Sequence, residues 1–128
     1  MKPFETKRRK SLLITGAVIG LLIICFFVFK RCSVDQQQVS TYLKQNALIL
    51  DVRTTTEFDR GHIPGAVNVS LGKLRTEKLK FSKDQRIITC CSHGLRSVKA
   101  MGILNSRGYK HVVNGGAWTD LERCMGSN

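Results

Sequence analysis

Residues 86–97, Arg-Ile-Ile-Thr-Cys-Cys-Ser-His-Gly-Leu-Arg-Ser, constrain the fold more than any other stretch of this chain. An apolar run ends in cysteine, a short loop with one glycine follows, and then a segment with helical spacing. That order predicts a strand, a loop and a helix, with a thiol at the strand's carboxyl end. A thiol there faces backbone N–H groups and the positive end of a helix dipole. It ionises more readily than a free thiol, whose pKa is about 8.5, and the thiolate is the nucleophile.

The pattern around this unit extends the same architecture. Residues 34–45 are predicted as a first helix started near Ser33 or Asp35, with Val39, Tyr42 and Leu43 at helical spacing. Ala47 to Leu50 is a short apolar run ending at Asp51 and Val52, read as a buried parallel strand. Residues 54–60 read as a brief helix capped by Thr54 or Thr55 and stopped at Gly61. A turn at Ile63-Pro64-Gly65 leads to a short strand over 66–69, and 73–79 reads as a polar helix or an irregular turn. Residues 86–90 are the central strand. A helix over 95–107 takes Val98, Met101, Ile103 and Leu104 as its apolar set and stops at Gly108. A strand over 111–113, a turn at Gly115-Gly116 and a last helix from Trp118 to about Cys124 complete the series. Helix and strand alternate with short links, which implies an α/β fold: a small parallel sheet with helices on both faces. Sites in such sheets form beyond the carboxyl ends of strands, where Asp51 and Cys91 fall.

The chain does not begin with that domain. Residues 1–10 form a basic tail with Lys2, Lys7, Arg8, Arg9 and Lys10 against Glu5. Residues 11–29 then run 19 residues without a charge, closed by Lys30 and Arg31. As a helix this run spans ~28 Å, close to the hydrocarbon core of a bilayer, and it is long for a signal peptide. It is expected to be one uncleaved transmembrane helix ahead of a domain over 33–128. Basic residues are in excess on its amino side, which predicts a single-pass protein of the inner or plasma membrane. Its amino terminus would be cytoplasmic and its domain periplasmic or otherwise extracytoplasmic.

The net charge of +12 divides equally between residues 1–32 and the rest. The domain's share includes a run of Lys73, Arg75, Lys78, Lys80, Lys83 and Arg86, read as a solvated surface with a mild attraction for small anions. No motif or aromatic interleaving supports nucleic-acid binding. Five cysteines, two of them adjacent, suit neither a zinc site nor a disulfide framework, and no metal is expected.

Three segments carry a family resemblance. The first is Leu50-Asp51-Val52-Arg53 with Glu57-Phe58 and Gly61-His62-Ile63-Pro64-Gly65-Ala66-Val67-Asn68. The second is the loop Cys91-x-x-Gly94-x-Arg96-Ser97. The third runs from Gly108-Tyr109 through Val112 to Gly115-Gly116 and Trp118. Together they resemble the single-domain rhodaneses, which are sulfurtransferases. With the apolar segment in front, the chain looks most like the small periplasmic rhodaneses of the phage-shock E type.

The resemblance implies that Cys91 takes a sulfane sulfur from a small anionic donor such as thiosulfate, holds it as a persulfide, and passes it to a thiol, cyanide or a protein thiol. No cofactor is implied. Ser92, His93, Gly94, Leu95 and Arg96 form the substrate loop, with Asp51, Arg53 and Ser97 in support. Cys90 reads as a small buried residue pointing to the opposite face from Cys91. Gly94 lets the loop curl. Arg96 either binds the donor's oxygens or pairs with an acid such as Glu57 or Asp51. His93 is either a donor or acid–base group or an exposed bystander, and Ser97 is an early-helix residue meeting backbone donors. Asp51 and Arg53 read as an ion-paired scaffold, His62 as a turn residue bonding backbone, and Trp118 as core. Two other readings stay open. Counted from Cys90, Arg96 completes C-x5-R, the phosphate loop of Cdc25-like phosphatases. Alternatively, the domain is a non-catalytic persulfide carrier or regulatory module.

Overall fold

The structure, a computed structural model, describes residues 16–25 and 35–126. The chain divides into two compact units, Met1–Ser33 and Val34–Asn128. In the first, residues 16–25 form a helix whose apolar side chains are largely exposed, Leu21 and Leu22 by more than half. Ten helical residues rise only about 15 Å. Among the described residues no helix is long and apolar enough to cross a membrane. The rest of the expected 11–29 span, and the basic residues flanking it, lie outside the described residues.

The second unit alternates as the sequence pattern predicts. Helix α1 (Gln36–Lys44) leads to strand β1 (Leu48–Asp51), helix α2 (Thr55–Asp59) and strand β2 (Val67–Asn68). Helix α3 (Lys73–Thr76), strand β3 (Arg86–Cys91), helix α4 (Leu95–Ser106), strand β4 (His111–Ala117) and helix α5 (Trp118–Gly126) follow. The four strands are parallel, in the order β2-β1-β3-β4, so β1 and β3 are central. That position explains their composition: β3 is buried from Ile87 to Cys91, as a strand covered on both faces must be.

Alternation along β3 sends neighbouring side chains to different cores. Ile87 and Cys91 join Leu50, Leu74, Ala100 and Leu104 beneath α3 and α4. Ile88 and Cys90 join Val39, Ile49, Val113 and Leu121 beneath α1 and α5. Full burial of each large aliphatic side chain in these layers contributes about 1.5–3 kcal/mol.

Several boundaries differ from the sequence expectation, for physical reasons. Strand β3 runs one residue further, through Cys91, because pairing with β4 continues to Cys91 opposite Ala117. The glycines 115 and 116 do not turn the chain; they lie within β4. Between Thr89 and Cys91 the register slips by one residue, Thr89 facing Asn114 and Cys91 facing Ala117, which is a bulge on β4. Gly115 is required there, since a Cβ would sit 2.6 Å from Ile88 Cγ2 and 3.0 Å from the Thr89 carbonyl oxygen. Helix α3 is shorter than the 73–79 expectation and is anchored by the fully buried Leu74. In α4 the buried set is Ser97, Ala100 and Leu104, whereas Val98 and Met101 are only half-buried. The small residues face the sheet because the helix lies close against β3 and β4.

Candidate active site

The site is built where β3 ends and α4 begins. Cys91 is the last residue of β3, Ser92 to Gly94 form the link, and Gly94 caps α4 in the left-handed region with φ 90°. A β-carbon is strained at that angle, which is why glycine stands here. The turn brings the Gly94 N–H to 3.1 Å from Cys91 Sγ. Burial, the largest single influence, pushes the Cys91 thiol up; the backbone N–H groups of His93, Ser97 and Gly94 and the Ser97 hydroxyl together outweigh it. The net direction is below the ordinary thiol value, the condition for a thiolate nucleophile.

Cys90, one bond away, has the opposite surroundings. It is fully buried in the other core, and burial, reinforced by the charge of Asp51, pushes its thiol far up. A phosphate loop counted from Cys90 would therefore start from a thiol on the wrong face of the sheet, so this geometry does not carry the C-x5-R reading.

The loop is fastened by Glu57, which the sequence offers as part of the first motif and as one possible partner of Arg96. Glu57 sits in the first turn of α2, where it completes a capping box with Thr54. Its carboxylate then reaches across to the loop. Arg96 donates to both oxygens through two nitrogens, each at 2.7 Å, and the Ser92 hydroxyl donates to Oε1 at 3.1 Å. Thr54 adds its N–H at 3.0 Å and its hydroxyl at 2.8 Å, so one carboxylate accepts five hydrogen bonds. The Arg96 guanidinium, first among these, holds the Glu57 carboxyl far below the usual carboxylate range. Arg96 also donates to the Ser92 hydroxyl at 3.0 Å. Of the two expectations for Arg96, the structure shows the ion pair with Glu57. The available signal in sequence was the Glu three residues after Thr54, which announces a capping box but not its second set of partners.

Asp51 and Arg53 form the expected buried pair. The guanidinium meets both Asp51 oxygens, the shortest contact being 2.6 Å, and the Arg53 N–H closes on Oδ1 at 3.0 Å. Arg53 also donates to the carbonyls of Glu57 and Gly61, and its guanidinium lies 4.7 Å over the Trp118 ring. Arg53 thus holds down the backbone of Glu57, whose carboxylate holds the loop. Removing one member would strand a buried charge, a loss of about 3–5 kcal/mol.

The remaining residues fall into place around this frame. Ser97 is fully buried; its hydroxyl lies 2.6 Å from Asn114 Oδ1 and 2.7 Å from the Gly94 carbonyl, tying α4 to the bulge of β4. Asn114 Oδ1 also accepts the Gly116 N–H at 3.0 Å. Asn114 was not singled out in the sequence, since nothing local announces a contact to a serine 17 residues away. His93 and Leu95 are exposed, Leu95 by 70%. His62 stacks on Phe58 at 3.8 Å and bonds its carbonyl through Nδ1 at 2.9 Å. Trp118 packs at the rim of the second core, and His111 is exposed.

A family model described as a rhodanese-like domain matches residues 35–119. Thiosulfate sulfurtransferase 18 of Arabidopsis thaliana is 35% identical over 106 residues, covering 69% of this chain and 78% of that protein. YrkF of Bacillus subtilis, described as a sulfur carrier protein, is 35% identical over 66 residues, 52% of this chain, and the match spans only 36% of its length. A solved rhodanese with anions from E. coli has a TM-score of 0.54 at 29% identity, over 58% of this chain and 89% of its own.

Proposed function

Because the chain belongs to the rhodanese-like domain family, we propose that it is a sulfurtransferase that moves a sulfane sulfur through a persulfide on Cys91. The observation that carries this reading is the Cys91 thiol at the strand end, lowered in pKa by the backbone N–H groups of its own loop. The thiolate attacks the outer sulfur of thiosulfate or a similar donor. The S–S bond breaks, sulfite leaves with its electron pair, and Cys91 carries a persulfide anion. Cyanide or an acceptor thiolate then attacks the outer sulfur and the Cys91 thiolate is restored. The N–H groups of His93, Gly94 and Ser97 stabilise negative charge on sulfur in both steps. Asp51 and Arg53 act behind the loop, as positioning residues, and Ser97 supports it by tying α4 to β4 while facing the sulfur.

The test is to incubate the full chain with thiosulfate and weigh it. One added sulfur on Cys91, released as thiocyanate by cyanide, is the expected result. An adduct on Cys90, or turnover of an aryl phosphate with none on thiosulfate, overturns it. A persulfide that forms but is passed only to another protein's thiol would favour the carrier role named for the Bacillus subtilis relative.

The segment over 11–29 supports a second, separate part of the reading: a single-pass membrane anchor that holds the domain outside the cytoplasm. The exposed apolar side chains of residues 16–25 suit a lipid surrounding. Protease added to spheroplasts should remove the carboxyl-terminal domain. Protection until lysis, or recovery of a chain starting after Phe29 in the soluble fraction, would refute it.

A further inference from the structure

The charges around the Cys91 loop cancel in pairs. Arg96 is the only lysine or arginine between Cys91 and Ser97, and both ends of its guanidinium are engaged by Glu57. Asp51 and Arg53 also neutralise each other, at 2.6 Å. An incoming donor therefore meets a thiolate and backbone N–H groups, but no unpaired lysine or arginine within the loop. A dianion such as thiosulfate adds two negative charges beside the thiolate. An organic persulfide, R–S–SH, adds at most one.

From this arrangement we infer that Glu57 is a specificity-determining residue: by neutralising Arg96 it turns the site away from dianionic donors and toward organic persulfides. The inference rests on the sulfurtransferase reading and narrows its donor class. In the transfer step the Cys91 thiolate attacks the outer sulfur of R–S–SH, the S–S bond breaks, R–S⁻ leaves, and the Cys91 persulfide forms without an oxidant or reductant.

The experiment compares loading of Cys91 in the full chain from thiosulfate and from 2-hydroxyethyl persulfide, followed by mass. The variants are Glu57→Gln, Arg96→Gln and the double substitution. Glu57→Gln keeps the side chain's shape and frees the charge of Arg96. The ratio of kcat/KM for thiosulfate over the persulfide should rise on the order of tenfold, the size expected of one unit charge acting on a dianion across a few ångströms of partly aqueous space. The gain should shrink at high salt. Arg96→Gln should lower the ratio by a similar factor, and the double variant should return it to the wild-type value. A merely structural role for Glu57 would lower both rates together, leave the ratio and its salt dependence fixed, and overturn the inference; so would an Arg96→Gln variant with an unchanged ratio. Wild-type protein that accepts sulfur from neither donor would instead remove the sulfurtransferase reading itself, and this inference with it.

Discussion

Cys90 and Cys91 are chemically identical and adjacent, yet they occupy opposite sides of the molecule in every sense that matters to reactivity. Cys90 sits among Ile49, Ile88 and Leu121 and meets burial and the charge of Asp51, both of which hold it protonated. Cys91 is equally buried by area but ends its strand under a turn of backbone N–H groups. The contrast teaches that burial alone does not set a thiol's character. What decides it is whether the low-dielectric surroundings hold donors aimed at the sulfur.

Three measurements break or sharpen that contrast. The largest effect is on turnover. Cys91→Ser should abolish thiosulfate:cyanide transfer, by a factor of about a thousand or more, since the covalent step loses its nucleophile. Cys90→Ser should keep most of the activity. Thiocyanate formation by the two variants is the readout, and a reversed pattern would invert the assignment.

A pair of glycine substitutions separates the two faces. Gly94→Ala places a β-carbon at φ 90° and strains the turn that delivers the N–H to Cys91, a cost of about 1–3 kcal/mol. Alkylation of Cys91 should then shift toward the pH range of an ordinary thiol, with activity falling on the order of tenfold to a hundredfold. Gly115→Ala pushes a β-carbon against Ile88 in the core that holds Cys90, and overpacking there costs about 1–3 kcal/mol. Its alkylation profile should stay as in the wild type while its urea midpoint falls. Equal effects of both substitutions on both readouts would show that the faces are not independent.

The smallest effect is on stability against pH. The folded Cys91 pKa lies below the unfolded one, so between the two values the native state binds fewer protons. Its contribution is fully present above the free-thiol pKa of about 8.5 and is lost as pH falls through the depressed value. Cys90 behaves oppositely: its folded pKa is raised, so its contribution is intact below about 8.5 and is lost as pH rises above it. In urea titrations from pH 6 to 10, Cys91→Ser should flatten the rise on the acid side. Cys90→Ser should flatten the fall on the alkaline side. Matching slopes for the two variants would contradict the separation.

What the sequence determined by itself is what short-range pattern encodes. Short runs of three to five residues between helical segments specified the four strands and their parallel arrangement, because chain reversal through a helix leaves few other packings. A threonine at 54 or 55 announced the cap of α2, and the thiol, glycine and arginine of the loop marked the candidate site, because turn and cap chemistry act within a few residues. Alternation along β3 was enough to send Cys90 and Cys91 apart.

What only the tertiary structure decided depends on which residues distant segments bring together. Gly115-Gly116 read locally as a turn, but a register slip against β3 and the close approach of Ile88 keep both glycines in the strand. Arg96 offered two roles in the sequence. The choice fell to Glu57, 39 residues away, because Arg53 and the capping box aim that carboxylate at the loop. Propensity acts over one or two turns of chain, whereas a bidentate pair forms only after the sheet has set the distance between α2 and α4. The fate of the one loop cation, and with it the electrostatics of the site, was therefore settled by packing.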